Sequence, residues 1–278
     1  MIVIPLVLVL VLSLVILGMQ YREQAIENIR GVQKGVAAEL QSDVDFMSMR
    51  LSQLINVNDN MVIQYAVAMN EADQDARYDA QKKLDQAGNM VIEPVKDVVS
   101  IGFYMKNGNA FFLKSSIKRT IEETRAKQWY QDALQNLNSV KIGSYQTRKA
   151  SDLYLGGSRD QLVLIYALSP NSMIDRSQSV EMVVLYQTSD AGNAIRNYNR
   201  NYIRGNNKLG IMQIVGENGE AIYKTEEIAV KAARGYTCVR TPIELENATW
   251  YIESYIRTAE LMQDFVKIAL VILLVAVL

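Results

Sequence analysis

Two Asn-Gly pairs, each set between apolar runs, constrain the fold of this chain more than any other feature. The first lies in VVSIGFYMKNGNAFFLK and the second in LGIMQIVGENGEAIYK. Asn-Gly between apolar, aromatic-rich runs is the strongest short-range hairpin signal, because a type I′ turn needs positive φ at both central residues. The spacing predicts hairpins turning at Asn107-Gly108 and Asn218-Gly219, the first followed by a helix that carries Trp129-Tyr130. A chain of 278 residues exceeds the ~100–150 residues of a usual single domain. Two hairpins then predict two stacked copies of one small α/β unit, with extensions.

Composition excludes several chemistries. With 29 Lys+Arg against 30 Asp+Glu there is no basic field to attract a phosphate backbone, so nucleic acid is not an expected partner. The single cysteine, Cys238, excludes an intramolecular disulfide and a multi-cysteine metal site. The chain has no histidine, so no Ser-His-Asp arrangement, His-ligated zinc or phospho-accepting histidine exists in these residues. No paired-carboxylate, nucleophile or metal constellation stands out. Asp73 and Asp75 are read as helix-start charges. The expectation is no catalytic residue, no metal and no cofactor in this stretch.

Both ends are apolar. Ile2 to Gly18 contains no charge, and with Met1 and Met19 it approaches the ~20 residues that cross ~30 Å of hydrocarbon. Residues 1–19 are therefore read as a membrane helix. A cleaved signal peptide would carry a basic n-region and an Ala-x-Ala site, and neither is present. Phe265 to Leu278 is equally apolar apart from Lys267 but too short to span, and is read as the start of a second membrane helix within an exit segment, 258–278. Two spans place everything between them on one side of the membrane, expected to be the outside.

Between the ends the periodicity is mostly helical up to residue 97. Ile26, Ile29, Val36, Leu40, Val44, Met47, Leu51 and Leu54 recur at steps of three, four or seven, the stripe of a long amphipathic helix over 20–56. The stripe is read as packing on the sheet from Met47 onward and as a dimer seam from Ile26 to Leu40. Gly31 and Gly35 each cost roughly 1 kcal/mol there relative to alanine. A turn at 61–69 and a helix over 71–90, N-capped by Asn70, follow, and Pro94 closes this helical region. The hairpin Val98–Leu113, a crossover helix over about 116–137 and strands at 141–146, 161–169 and 180–187 make the first unit, 98–205, from which a helix over 191–201 links to the second. Strands at 209–215, 221–224, 236–243 and 249–256, with a short helix over 226–233, make the smaller second unit, 206–257. The fold class is α+β, with two antiparallel-sheet subdomains.

The ordered series IPLVLVLVLSLVILG, NDNMVIQYA, SIGFYMKNGNAFF, KQWYQDAL, VEMVVLYQ, IMQIVGENGEAIYKT and ATWYIESYIRTAELMQDF resembles the double Cache ectodomain, a pair of PAS-like subdomains, of bacterial sensor proteins. It is most similar to those of YesM-type sensor histidine kinases. The resemblance covers essentially the whole chain. It implies an extracytoplasmic region whose membrane-distal unit binds a small ligand or an extracellular binding protein, and whose second span leads to a linker domain and a kinase.

The same resemblance places Trp129-Tyr130 at the end of the crossover helix, facing the sheet where the ligand pocket lies. Amino-acid-binding relatives carry an Arg two residues before this Trp, a Tyr seven before it, and an acidic residue after the last distal strand. Here those positions are Lys127, Glu122 and the strand end Tyr186-Gln187-Thr188. A lysine is a point charge and lacks the bidentate fork, so a sugar or another polar molecule is expected rather than an amino acid. The candidate ligand-binding residues are Tyr104, Lys127, Trp129, Tyr130, Tyr145, Arg148, Tyr166 and Gln187. Trp129, Tyr130 and the strand tyrosines are read equally as core, and Lys127 and Arg125 as solvated charges. Two classes of function remain open. One is a membrane-anchored, homodimeric extracytoplasmic sensor with a histidine kinase output, or else a chemotaxis receptor or diguanylate cyclase. The other is a stand-alone membrane-tethered binding protein.

Overall fold

The computed structural model describes residues 3–56, 61–69, 73–92, 97–113, 121–135, 140–147, 161–168, 180–205, 210–225, 235–245 and 248–277. The first element, α1 (Val3–Asn56), is a single unbroken helix of 54 residues that joins the apolar N-terminal run to the amphipathic stretch. Next come α2 (Met61–Ala68) and α3 (Gln74–Ile92). Asp73 starts α3 in the way a helix cap does: its Oδ1 accepts from the Asp75 N–H at 3.1 Å. The expected cap, Asn70, lies outside the described residues.

Five strands form the first sheet: β1 (Val98–Met105), β2 (Ala110–Leu113), β3 (Val140–Thr147), β4 (Gln161–Leu168) and β5 (Val180–Thr188). They are antiparallel in the order β2-β1-β5-β4-β3. Every residue of β1 is buried, as is every inner residue of β4 and nearly every one of β5, so the sheet is covered on both faces. This is why the central strands read as continuous apolar runs rather than alternating ones.

The expected crossover helix is two short helices, α4 (Ile121–Arg125) and α5 (Gln128–Gln135). The break at Ala126 and Lys127 is stabilised locally. Lys127 N–H bonds Thr124 O at 3.0 Å, and Gln131 Nε2 donates to Arg125 O at 2.7 Å, so carbonyls at the end of α4 are satisfied.

After α6 (Asp190–Ile203), four strands form the second sheet: β6 (Ile211–Val215), β7 (Ala221–Tyr223), β8 (Tyr236–Leu245) and β9 (Ala248–Arg257), in the order β7-β6-β9-β8. The chain ends in α7 (Thr258–Leu261) and α8 (Gln263–Val277). The short helix expected over 226–233 falls outside the described residues.

Both hairpins form where expected, but with three-residue loops rather than two-residue type I′ turns. Met105 N–H bonds Asn109 O and Gly108 N–H bonds Met105 O. In the second hairpin Gly216 N–H bonds Glu220 O and Gly219 N–H bonds Gly216 O. The glycines take the left-handed position that closes such loops, at φ +96° and +78°.

The chain packs as two compact units: residues 1–37, 194–243 and 251–278 make the first, and residues 38–193 and 244–250 the second. The core of the first is Ile29, Val239, Ile256 and Leu261, with Ala25, Ile26 and Tyr202 packed against it. Gln33, fully buried on α1, fastens that helix to the second sheet. Its Nε2 donates to Val239 O and Ser254 Oγ at 2.9 Å and to Ile252 O at 3.3 Å, and its Oε1 accepts from Thr241 Oγ1 at 2.6 Å. Gly210, at φ +77°, lies so close to Tyr255 O that a Cβ would sit 2.6 Å from it, and only glycine fits.

Nearer the ends, Phe265 of α8 packs on Gly18, and its ring centroid lies 6.3 Å from that of Tyr21. The apolar residues of α1 from Leu8 to Leu17 and those of α8 from Val266 onward are largely exposed. Among the described residues, α1 is the one helix long and apolar enough to cross a membrane.

The dimer seam expected from Ile26 to Leu40 is corrected here. Ile29 and Val36 are 1% and 3% exposed and Leu40 is fully buried, so this stripe is consumed by the chain's own core.

Candidate functional site

The face of the first sheet beneath α5 is built from aromatic side chains. Tyr104 of β1, Tyr186 of β5 and Tyr130 of α5 share a cluster with Met182, Val184 and Ile165. The Tyr104 ring meets Tyr130 edge-on at 5.5 Å and Phe112 at 5.9 Å. Gly102 makes room for them, since a Cβ there would lie 2.8 Å from the Phe112 ring. The Tyr104 and Tyr186 hydroxyls bond each other at 2.7 Å.

Above the rings lies an ion pair. Arg125 Nη2 stands 2.7 Å from Glu181 Oε2, which also accepts from the Tyr130 hydroxyl at 2.9 Å, and Arg125 reaches down to Met105 O. Burial is the largest cause raising the phenol pKa of Tyr104, Tyr130 and Tyr186, so all three remain neutral hydroxyls. Arg125 and Glu181 are 25% and 22% exposed. The arrangement is a buried aromatic floor with a cation and an anion, paired with each other, at its solvent edge.

Of the residues singled out from sequence, Tyr104 and Tyr130 meet on this face. Tyr166 and Gln187 do not. Tyr166 pairs with Leu185 while Ile165 pairs with Tyr186, so Tyr166 belongs to the opposite face, and Gln187, next to Tyr186 along β5, lies there too. Lys127 is exposed at the α4–α5 break. Tyr145 pairs in register with Val163, and Trp129 lies in α5; their side chains, and all of Arg148, fall outside what is described. Arg125, Glu181 and Tyr186, which this face also brings together with Tyr104 and Tyr130, were not singled out from sequence. Arg125, expected to be a solvated charge, is half-buried and paired.

A second cluster in the same unit surrounds Asp43 of α1. Its Oδ2 accepts from Ser189 Oγ at 2.6 Å, and Ser189 Oγ caps α6 by accepting from the Ala191 N–H at 3.2 Å. Burial, and then the negative charges of Glu39, Asp190 and Asp97, push the Asp43 carboxyl up to about 6, against the opposing effect of the Ser189 bond. Below about pH 4 the group is protonated in the folded and unfolded chains alike. As pH rises from about 4 to about 6 the unfolded chain loses its proton first, so folding stability falls, and it stays lower above 6. Asp43→Asn keeps an acceptor for Ser189 and removes the charge. Discounted for partial exposure, the gain is about 1–2 kcal/mol at pH 7.5 and near zero at pH 4. Thermal melts of both proteins across this range check it, and an equal gain at both ends would refute it.

No protein-family model matches the chain, and no curated protein matches it. Solved structures do. The periplasmic sensory domain of the Campylobacter jejuni chemoreceptor Tlp1 is similar at 10% identity, covering 87% of this chain and 98% of that one with a TM-score of 0.54. The ligand-binding domain of the Pseudomonas aeruginosa PAO1 amino acid chemoreceptor PctB, in complex with L-Arg, is similar at 13% identity, covering 86% and 97% with a TM-score of 0.50. The long N-terminal helix followed by two antiparallel sheets is thus the α+β fold of periplasmic sensory domains.

Proposed function

We propose that this chain is the extracytoplasmic ligand-sensing region of a membrane-bound bacterial signal-transduction protein, anchored by α1 and leaving through a second span that begins in α8. The observation that carries the reading is the fold likeness over nearly the full length of one periplasmic sensory domain and one chemoreceptor ligand-binding domain, in a chain whose first helix is apolar and exposed at its start. The packing of Phe265 on Gly18 supports two spans lying side by side. The residues present sense rather than catalyse, and the output lies elsewhere. The ordered motifs favour a histidine kinase of the YesM type with a homodimeric double Cache ectodomain. The fold likeness to chemoreceptor domains favours a chemotaxis receptor as the second reading.

In this reading the ligand is a small polar molecule held over the tyrosine floor by Arg125 and Glu181. A thermal-shift screen of the detergent-solubilised chain against sugars, amino acids and organic acids tests it. A ligand at a hundred times its Kd adds about 2.7 kcal/mol to the folded state and raises Tm by several degrees. No shift with any of these classes would overturn the small-molecule reading in favour of a protein partner.

A further inference from the structure

The hydrogen bonds of α6 to the second sheet show which way that helix runs. Arg196 Nη2 donates to the Tyr223 hydroxyl at 3.3 Å, and Tyr223 lies in register with Ile214 and, across β6, with Ile252. Three residues on, Asn199 brackets Met212, accepting from its N–H at 2.6 Å and donating to its carbonyl at 2.9 Å, and Met212 pairs with Ser254. Three residues further, the Tyr202 hydroxyl donates to Glu260 of α7. These partners advance from Ile252 to Ser254 and then past the end of β9. The helix α6 therefore descends beside the sheet toward the point where the chain enters α8.

That point has a measurable level. Tyr202 packs on the same core cluster as Ala25 and Ile26 of α1, a cluster that includes Leu261. One turn beyond Leu261, Phe265 packs on Gly18, the last residue of the charge-free run of α1, with Tyr21 beside it. Aromatic side chains gather where membrane meets water, so this pair marks the boundary. Tyr202 stands about 6–10 Å above it, at 1.5 Å per residue from Phe265 to Leu261 or from Gly18 to Ala25. A headgroup layer is about 5–7 Å deep on each side of the hydrocarbon. Ile203 and Arg204, next along the descending helix, reach that layer.

The chemistry of this end suits such a surface. Ile203 prolongs the inward stripe of Ile195 and Asn199 but has run past the sheet, and it is 53% exposed. A single exposed isoleucine is ordinary on a protein; its position carries the argument. Arg204 is exposed beside it and has no side-chain partner among the described residues. Arg257, at the same end of the sheet, is 63% exposed along its side chain. The acids nearby are already engaged: Glu260 holds Tyr202 and lies 3.7 Å from Arg257, and Asp264 lies 3.7 Å from Lys267.

We propose that the C-terminal end of α6 rests on the bilayer, with Ile203 in the interfacial layer and Arg204 and Arg257 on the phosphates of anionic lipid headgroups. The inference rests on the membrane-anchored reading and adds to it a contact outside the two apolar helices. The occupant is a lipid surface because the same bonds that orient α6 hold its end at the level where α1 and α8 meet the membrane.

The test labels Asn201→Cys, two residues before Ile203 and exposed, with a bimane fluorophore in a Cys238→Ser background. The comparison is Glu217→Cys, in the β6–β7 turn, which lies beyond Val215 and its partner Tyr251 at the opposite end of the sheet. The full chain is reconstituted in phosphatidylcholine vesicles with or without phosphatidylglycerol. Quenching by a nitroxide on the lipid headgroup is compared with quenching by iodide in water. In the anionic vesicles the lipid-to-water ratio is expected to be several-fold higher at Asn201 than at Glu217. Arg204→Gln should shift the balance between docked and lifted ends about fivefold toward water, the usual effect of one arginine at an anionic surface, and Arg204→Lys should not. A ratio at Asn201 no higher than at Glu217, or one that neither phosphatidylglycerol nor Arg204→Gln alters, would overturn the inference. The vesicles are first washed at alkaline pH: release of the chain would sink the membrane-anchored reading itself. A retained chain whose Asn201 probe answers only to iodide sinks the lipid contact and leaves that reading standing.

Discussion

Gln33→Leu is expected to cost the first compact unit about 3–5 kcal/mol, lowering its Tm by about 10 °C or more. Leucine is similar in size, so the loss comes from hydrogen bonding rather than from a cavity. The glutamine amide serves two main-chain carbonyls and two hydroxyls, all inside the core between α1 and the second sheet. Removing it leaves the Thr241 and Ser254 hydroxyls and the Val239 and Ile252 carbonyls short of a partner, and each buried unsatisfied group costs roughly 1–3 kcal/mol, though not additively. The account is specific enough to be reversed. Adding Thr241→Val and Ser254→Ala to Gln33→Leu removes two of the stranded hydroxyls and should recover about half of the loss. Thermal melts of the single and triple variants decide it, and a triple variant no better than the single one would show that packing, not hydrogen bonding, accounts for the effect.

The bond network also bears on transmission. The strand β9 carrying Ile252 and Ser254 runs directly into α7 and α8, and Gln33 ties it to the helix that leads to the N-terminal apolar run. In the proposed sensor a displacement of the last strand moves α1 and α8 together instead of sliding one past the other.

Element existence was legible where periodicity and turn chemistry agreed. The Asn-Gly hairpins, the stripe of α1, the acidic start of α3 and the strands β1 to β9 were all readable, because each rests on local geometry. The turn type was not, since Asn-Gly serves a two-residue loop and a three-residue loop equally well. The crossover helix was read as continuous because nothing in TRAKQW breaks a helix by propensity; at the break, the local bond from Gln131 to Arg125 O is joined by the tertiary bonds of Arg125 to Met105 O and Glu181. The site was half legible for a related reason. In a sheet covered on both faces, apolar alternation vanishes, and with it the cue to which side a residue faces. Tyr166 and Gln187 lie on the face opposite to Tyr104 and Tyr130, whereas Tyr186, one position from Gln187, shares theirs. A one-residue error in a strand moves a side chain to the other face. The α1 stripe was visible in sequence, yet only burial could say that the chain itself, and not a second copy, occupies it.

Tyr104→Ala is expected to destabilise the second unit by about 3–5 kcal/mol, and Tyr104→Phe by about 1–2 kcal/mol. Tyr104 is 1% exposed, among the largest fully buried side chains, and it packs against Tyr130 and Phe112 at once. Truncation opens a cavity under α5, whereas phenylalanine keeps the rings in place and takes from the Tyr186 hydroxyl its Tyr104 partner. The pair of substitutions separates floor from rim. If the tyrosines are the floor and the exposed charges grip the ligand, Tyr104→Phe lowers Tm yet leaves the increment caused by a bound ligand unchanged. Glu181→Gln then removes that increment, because it removes the negative half of the pair that faces solvent. The opposite pattern, with the increment lost in Tyr104→Phe and kept in Glu181→Gln, would mean that the hydroxyl pair of Tyr104 and Tyr186 opens to admit the ligand. The buried floor would then be the recognition surface, and the ion pair above it only a structural clasp between α4 and β5.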